Sequence, residues 1–192
     1  MNYQEKTFDF GTLDGFSEKQ ISEHLKLYAG YVKNVNRIET EIGALMADSE
    51  KNALSLSEIK RRLGFEWNGM RLHELYFDAL GHASGLDPAS GLSQAIEKRW
   101  GSVDELKAQL KAIGLMRGIG WVLLVNDRAA DMLQTVWVGD HEVGHLAGTE
   151  VLLAMDVWEH AYAVDYLPTG RAAYIDAFMK NLNWGKVAER FN

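Results

Sequence analysis

Apolar side chains recur at helical spacing through the first half of the chain. The tetrad SEKQ, which starts at Ser17, has the spacing of a capping box, and apolar positions then follow every three or four residues through Val35. A second pattern of this kind begins at Ser57 and continues to Gly81, and the glycines within residues 64–69 predict an interruption in it. The two patterns predict long amphipathic helices that pair as an antiparallel hairpin.

The pattern changes in the second half of the chain. Residues 90–114 predict two shorter helices, and the second of them has a capping box of its own at Ser102. After Gly120 the runs GWVLLVN and MLQTVWV are rich in β-branched residues and are separated by a polar turn, which predicts a β-hairpin. The apolar run VLLAM at 151–155 predicts a third strand, and the tail from Trp158 is helical again, with a break at PTG.

These elements predict an α+β fold. A long helical hairpin at residues 1–86 is expected to pack on a C-terminal α/β lobe at residues 87–192, which carries a three-stranded antiparallel sheet. No internal repeat or Pro/Gly/Ser-rich linker interrupts the 192 residues, which favours two intimately packed lobes over a modular array.

Composition and charge narrow the chemistry. The chain has no cysteine, which excludes disulfides, zinc-thiolate sites and iron–sulfur clusters and leaves His, Asp and Glu as the strong metal ligands. Its net charge of −7 disfavours nucleic acid and acidic membrane surfaces as partners. Because the sequence shows neither a secretory leader pattern nor a long apolar stretch, we expect a cytoplasmic protein without membrane contact.

Ionisable groups follow the third predicted strand. Asp156 and His160 end the apolar run, and burying them costs several kcal/mol, on the order of the penalty for unpaired charge, unless a hydrogen-bonded ion pair or a metal ion compensates. His24 and His73 lie on the two predicted long helices beside large aromatic residues, and both face a common point if the helices pair. Each histidine alone is also explained as a core or surface residue. Together the four groups form an N/O donor set that suits iron or manganese and accepts zinc.

One motif carries a family resemblance. DVWEHAY, from Asp156 to Tyr162, together with the later Asn183-Trp184 pair, resembles the signature of the iron/manganese superoxide dismutase family. The segments YVKNVN, LHELYF and GIGW extend the resemblance over almost the whole chain. It implies an antioxidant oxidoreductase, a homodimer or tetramer, that converts superoxide to oxygen and hydrogen peroxide at one iron or manganese ion. The alternatives are another redox reaction at the same site and a metal-free scaffold protein with the same fold.

The resemblance also assigns residues. It implies that the metal ligands are His24, His73, Asp156 and His160. Tyr31 matches the gateway tyrosine of the family, and His141 falls where most relatives carry the glutamine that hydrogen-bonds the metal-bound solvent. Gly69 occupies the place from which many iron enzymes supply that glutamine, so we expect the donor to be His141. The alternative for His141 is an exposed turn residue.

The chain departs from the family pattern near the first ligand. His24 precedes Tyr31 by seven residues, whereas the family spacing is eight, and a strict count would place Glu23 at the metal. We expect His24, because seven residues are two regular helical turns whereas eight require an extra residue such as a π-bulge. Tyr28 replaces a histidine and Ala163 a tyrosine that contact each other across the family dimer, and Tyr28 is expected to fill the volume beside Ala163.

Further positions are expected to surround the ligands or to contact a second subunit. Glu159 is expected to bridge to His160 of the partner subunit, which makes a homodimer the minimum assembly. The remaining positions implied by the resemblance are Trp121, Trp158 and Tyr162.

Overall fold

Two long helices form the N-terminal part of the protein. The computed structural model describes residues 2–191, in which α1 (Glu18–Leu45) and α2 (Ala53–Asp78) pack against each other and are joined by a short 3₁₀ turn at Met46–Asp48. The predicted hairpin is therefore confirmed. The expected interruption within residues 64–69 is wrong, because α2 is continuous and begins before Ser57. A helical glycine costs only about 1 kcal/mol, which the packing of α2 offsets.

Only half of the predicted capping box at the start of α1 forms. The hydroxyl of Ser17 accepts a hydrogen bond from the backbone N–H of Gln20 at 3.0 Å. The side chain of Gln20 does not return to Ser17. It is fully buried, donates to the carbonyl oxygen of His160 at 2.7 Å and accepts from the N–H of Val164 at 3.0 Å. Gln20 thus ties the start of α1 to the segment that follows the sheet.

Two short helices lead into the sheet. The elements α3 (Gly91–Trp100) and α4 (Val103–Gly114) match the prediction, and the Ser102 hydroxyl caps α4 by accepting from the N–H of Glu105 at 3.1 Å. Gly101 ends α3 with a φ of 86°, a conformation that glycine adopts without strain.

A three-stranded antiparallel sheet follows, as the sequence predicted. Its strands are β1 (Gly120–Asp127), β2 (Met132–Gly139) and β3 (Glu150–Asp156), and their order is β2-β1-β3. β1 is central and almost entirely buried, which explains its unbroken apolar run. The register opposes Trp121 to Asp156, so the end of β3 lies beside the start of β1.

The chain ends in short helices. A 3₁₀ turn at Glu159–Ala161 leads to α5 (Ala163–Tyr166), α6 (Arg171–Lys180) and α7 (Trp184–Glu189). The predicted break at PTG is the 3₁₀ turn Pro168–Gly170, which separates α5 from α6. Within residues 2–191, no helix combines the length and the hydropathy that a membrane span requires.

One cluster of buried side chains joins the two halves of the chain. It includes Val35 of α1, Met70 of α2, Leu123 of β1 and Leu153 of β3, and α2 packs directly on β3. The boundary between lobes at residues 86 and 87 stays a prediction. The packing brings the inner faces of α1 and α2 against the end of β3, where the ionisable residues lie.

Candidate metal centre

The first helix directs His24 into the protein and Glu23 out of it. The His24 ring is completely buried, and its Nε2 atom lies 3.1 Å from Oδ2 of Asp156. The Glu23 side chain is half exposed and accepts from the ammonium group of Lys26 at 2.7 Å. α1 is regular α-helix from His24 to Tyr31, so these residues, seven apart, share one face. Of the two alternatives, the structure brings His24 to Asp156.

The second helix fixes the tautomer of His73. Its Nδ1 lies 2.6 Å from the carbonyl oxygen of Gly69, which can only accept, so Nδ1 carries the proton. In the neutral ring Nε2 is then an unprotonated acceptor. It is buried, has no hydrogen-bond partner among the described residues and lies 3.6 Å from Oδ2 of Asp156. The lone pair of Nε2 needs a donor or a cation, and the carboxylate oxygen of Asp156 that faces it has no proton to donate. A metal ion between the two atoms would satisfy both.

Asp156 stands at the end of β3 with all of its surface buried. Its Oδ1 atom accepts from the N–H of Trp158 at 2.8 Å, and its Oδ2 atom faces three imidazoles. Burial opposes ionisation, yet the neighbouring imidazoles of His160 and His24 hold the pKa of Asp156 well below its usual range. Burial lowers the pKa of His24, against the influence of Asp156, and lowers the pKa of His73 further. The centre therefore combines an ionised carboxylate with neutral imidazoles at His24 and His73.

The distances between the donor atoms fit a single ion. His160, on the 3₁₀ turn after β3, places its Nε2 atom 3.1 Å from Oδ2 of Asp156. Two atoms that each lie about 2.1 Å from one ion are about 3.0 Å apart at a right angle and about 3.6 Å apart at about 120°. The separations of 3.1, 3.1 and 3.6 Å between Asp156 Oδ2 and the three Nε2 atoms match these values. Among the described residues, the four donors form the one such group, all within 4.8 Å of one another.

His141 is buried beside this centre rather than exposed on a turn. Its Nδ1 atom accepts from the indole N–H of Trp121 at 2.8 Å. Because the indole can only donate, Nε2 carries the proton of the neutral ring and donates to the hydroxyl oxygen of Tyr31 at 2.7 Å. Burial lowers the pKa of His141 to about 4, which keeps the ring neutral at pH 7. The exposed-turn alternative is therefore wrong.

Tyr31 lies on the helix face that carries His24, and its ring rests on α2. A Cβ atom added at Gly69 would lie 2.6 Å from both Cδ1 and Cε1 of the Tyr31 ring. Burial, and then the negative charge of Asp156, raise the pKa of Tyr31, so its hydroxyl is protonated at neutral pH. The sequence identified Gly69 as a position without a donor but gave no sign that the tyrosine ring fills its space.

The other predicted positions are placed as follows. The Trp158 ring stacks on His141 and His160, with centroid distances of 5.1 and 5.6 Å. The buried Tyr162 ring stacks on Tyr174, and its hydroxyl accepts from Arg171 at 3.2 Å. Tyr174 was missed by the sequence analysis, although its hydroxyl donates to the carbonyl oxygen of Asp156 at 2.6 Å. An aromatic residue in a short helix carries no signal of such a contact.

Tyr28 has hydrogen-bond partners within the described chain, whereas Glu159 has none. The Tyr28 hydroxyl accepts from the N–H of Lys6 at 2.9 Å and donates to Glu74 at 3.3 Å, so its contacts are with the N-terminal segment and α2 rather than with Ala163. The expectation that Tyr28 fills the space beside Ala163 concerns a contact between two subunits, and it stays a prediction. The Glu159 side chain is exposed and has neither a hydrogen bond nor an ion pair within residues 2–191.

Comparisons with known proteins agree with this arrangement. The family model described as the C-terminal domain of iron/manganese superoxide dismutases matches residues 88–190. An iron superoxide dismutase of Cupriavidus metallidurans is 42% identical over 183 residues, which cover 93% of this chain and 90% of the relative. An iron superoxide dismutase of Aquifex aeolicus is 36% identical over 184 residues, 93% of this chain and 85% of the relative. A manganese superoxide dismutase of Mycolicibacterium fortuitum is 32% identical over 187 residues, 96% and 89% of the two chains. The chain therefore belongs to the iron/manganese superoxide dismutase family.

Proposed function

We propose that this protein is a superoxide dismutase that uses one iron or manganese ion held by His24, His73, Asp156 and His160. The observation that carries the proposal is the ionised, fully buried carboxylate of Asp156, which three imidazoles surround and which pairs with no lysine or arginine within residues 2–191. A buried carboxylate without a counter-charge is strongly unfavourable, and a metal ion removes that cost. The relatives with this family assignment carry the names of both the iron and the manganese enzymes.

The donor set fits the reaction. Three imidazoles and one carboxylate are ligands that suit both divalent and trivalent iron and manganese. When bound, the ion supplies the one-electron chemistry by which one superoxide is oxidised to oxygen and a second, with two protons, is reduced to hydrogen peroxide. The protein contributes the buried ligand cage and the protonated groups beside it.

We propose that Tyr31 and His141 are the protonated groups beside the metal ligands. Because Nε2–H of His141 donates to the oxygen of Tyr31, the hydroxyl proton of Tyr31 remains available to a substrate or solvent oxygen. The indole of Trp121 holds His141 in the tautomer that makes this possible. Groups hydrogen-bonded around a metal site tune its potential and the basicity of its ligands. We propose this role for His141, acting through Tyr31, because both of its ring nitrogens are already bonded.

A homodimer is the proposed assembly. Glu159 has no partner within the described chain, while His160 turns Nε2 toward Asp156 and keeps a side chain that is 21% exposed. The carboxylate of one subunit can thus accept a hydrogen bond from Nδ1 of the partner's His160, fixing the orientation of that ring. A cytoplasmic location and an assembly beyond the dimer stay predictions.

The competing function is a metal-free scaffold protein with the same fold. A scaffold has no use for the buried, unpartnered acceptor on His73 or for the convergence of four donors on one point. These features favour the enzyme.

Metal loading decides between the two functions. Metal-free protein is incubated separately with iron(II) and manganese(II), and metal content and superoxide dismutation are measured. Asp156→Asn keeps the shape of the side chain but removes its charge, and should lose metal and activity. Asp176→Asn, at an exposed carboxylate that pairs with Lys111, is the matched control and should retain both. Wild-type protein that retains less than about a tenth of an equivalent of either metal would rule out the enzyme.

A further inference from the structure

The backbone carbonyl oxygen of His141 accepts two hydrogen bonds from side chains. The amide Nδ2 of Asn68 donates to it at 2.8 Å, and Nε2 of His145 lies 3.0 Å from it. Since a carbonyl can only accept, His145 must carry its proton on Nε2. Neither Asn68 nor His145 has a role in the function proposed above.

This carbonyl lies in the tight turn after β2, which backbone hydrogen bonds between Gly139 and Val143 close. β2 ends at Gly139, and Asp140 follows with a φ of 50°, a left-handed conformation that is uncommon for residues other than glycine. Both ring nitrogens of His141 are already bonded, to Tyr31 and Trp121. The position of the ring therefore depends on how the loop that carries it is attached to the rest of the protein.

Asn68 attaches the loop of His141 to α2, in the turn of the helix that also orients His73, one of the proposed metal ligands. The next residue, Gly69, accepts the Nδ1 proton of His73 on its carbonyl oxygen at 2.6 Å. Its Cα hydrogen faces the ring of Tyr31, where a Cβ would not fit. One turn of α2 thus contacts the ligand His73, the tyrosine and the loop of His141.

We infer that Asn68, assisted by His145, is a positioning residue that sets the distance between the His141 ring and the Tyr31 hydroxyl. The hydrogen bond from Asn68 holds the loop, the loop holds the ring, and the ring donates to Tyr31. The consequence for redox chemistry rests on the proposed function, since it assumes a metal ion whose potential these groups tune. The positioning itself does not depend on that assumption.

The positioning is tested through the indole N–H of Trp121, which reports its bond to His141. The ¹⁵N–¹H resonance is recorded with zinc-loaded protein, which is diamagnetic, and is assigned by Trp121→Phe. Asn68→Asp keeps the side-chain shape but replaces the donor by an acceptor, and Asn68→Ala removes the donor without adding charge. In both variants the resonance should move, and its exchange with water should accelerate by about three-fold or more.

Asn36 offers a matched control. Its Nδ2 atom also holds a backbone carbonyl oxygen, that of Tyr3 at 2.9 Å, away from the metal centre. Asn36→Asp should leave the Trp121 resonance and its exchange rate unchanged. If both Asn68 variants give the wild-type resonance and exchange rate, Asn68 does not position His141 and the inference is wrong.

A second measurement tests the redox consequence. With iron-loaded protein at a fixed applied potential, Asn68→Asp and Asn68→Ala should each change the ratio of oxidised to reduced protein by about three-fold or more, while Asn36→Asp should not. An unchanged ratio alongside a shifted Trp121 resonance would refute the link to redox tuning and keep the positioning. If wild-type protein neither retains iron nor dismutates superoxide, the proposed function fails, and the resonance still decides the role of Asn68.

Discussion

Replacing Gly69 by alanine should have opposite effects in the presence and the absence of the Tyr31 ring. The added Cβ would lie 2.6 Å from two carbon atoms of this ring and 3.1 Å from a third. Carbon atoms in contact prefer about 3.5–4.0 Å, so the ring must move by about 1 Å. Such overpacking typically costs about 1–3 kcal/mol. Alanine at an interior helical position gains about 1 kcal/mol over glycine.

The clash with the ring and the gain in helix propensity together predict that the effect of Gly69→Ala on the free energy of unfolding reverses its sign when Tyr31 is removed. With Tyr31 present, Gly69→Ala should lower the free energy of unfolding by up to about 2 kcal/mol, because the clash outweighs or cancels the gain in helix propensity. In the Tyr31→Ala background the clash is gone, and the same substitution should raise the free energy of unfolding by about 1 kcal/mol. The displaced ring should also lose its 2.7 Å hydrogen bond to His141, which would reduce activity.

The assay is a double-mutant cycle measured by urea denaturation under one metal condition. Gly43→Ala is the control, because Gly43 lies in α1 and a Cβ added there meets nothing within 4 Å. It should stabilise the protein by about 1 kcal/mol in both backgrounds. If Gly69→Ala stabilises the wild type as much as the Tyr31→Ala protein, the ring does not occupy the space above Gly69 and the reasoning fails.

Three further predictions concern the ligands, the outer histidine and the dimer. His24→Ala should abolish metal occupancy while Glu23→Ala should leave it intact, and elemental analysis showing the reverse would place Glu23 at the ion. His141→Gln should alter the ratio of activities with iron and with manganese, because the donor to the hydroxyl of Tyr31 changes its reach. The same variant should also weaken the pH dependence of stability. Because the pKa of His141 is about 4 in the folded protein and about 6.5 in the unfolded chain, this residue lowers the free energy of unfolding as the pH drops through that window. Urea denaturation at several pH values should therefore give a shallower slope of unfolding free energy against pH in the variant. Glu159→Ala should weaken dimers and metal retention, because the His160 ring of the partner would lose its carboxylate; unchanged sedimentation and metal content would contradict this.

The sequence alone determined the features that depend on near neighbours. Helical patterns predicted α1, α3 and α4, with serine caps at the starts of α1 and α4, and runs rich in apolar and β-branched residues predicted the strands. The pairing of Asp156 with His160 is also local, since a short turn connects them. The preference for His24 over Glu23 combined the family resemblance, which supplied Tyr31 as the reference position, with helix geometry, because seven residues complete two turns. In each case the relevant interaction spans only a few residues.

Tertiary structure decided the rest. α2 runs through the glycines at 64 and 69 because packing against α1 and β3 outweighs a propensity cost of about 1 kcal/mol for each. The side chain of Gln20 donates to the carbonyl oxygen of His160 instead of completing the capping box. Position 69 requires glycine because the ring of Tyr31, remote in sequence, occupies the space of a Cβ atom. His24 and Asp156 meet across 132 residues of chain. Packing of α2 on β3, and of α1 on α2 and on the turn after β3, closes that separation, and this packing depends on the shapes of surfaces that no local pattern encodes.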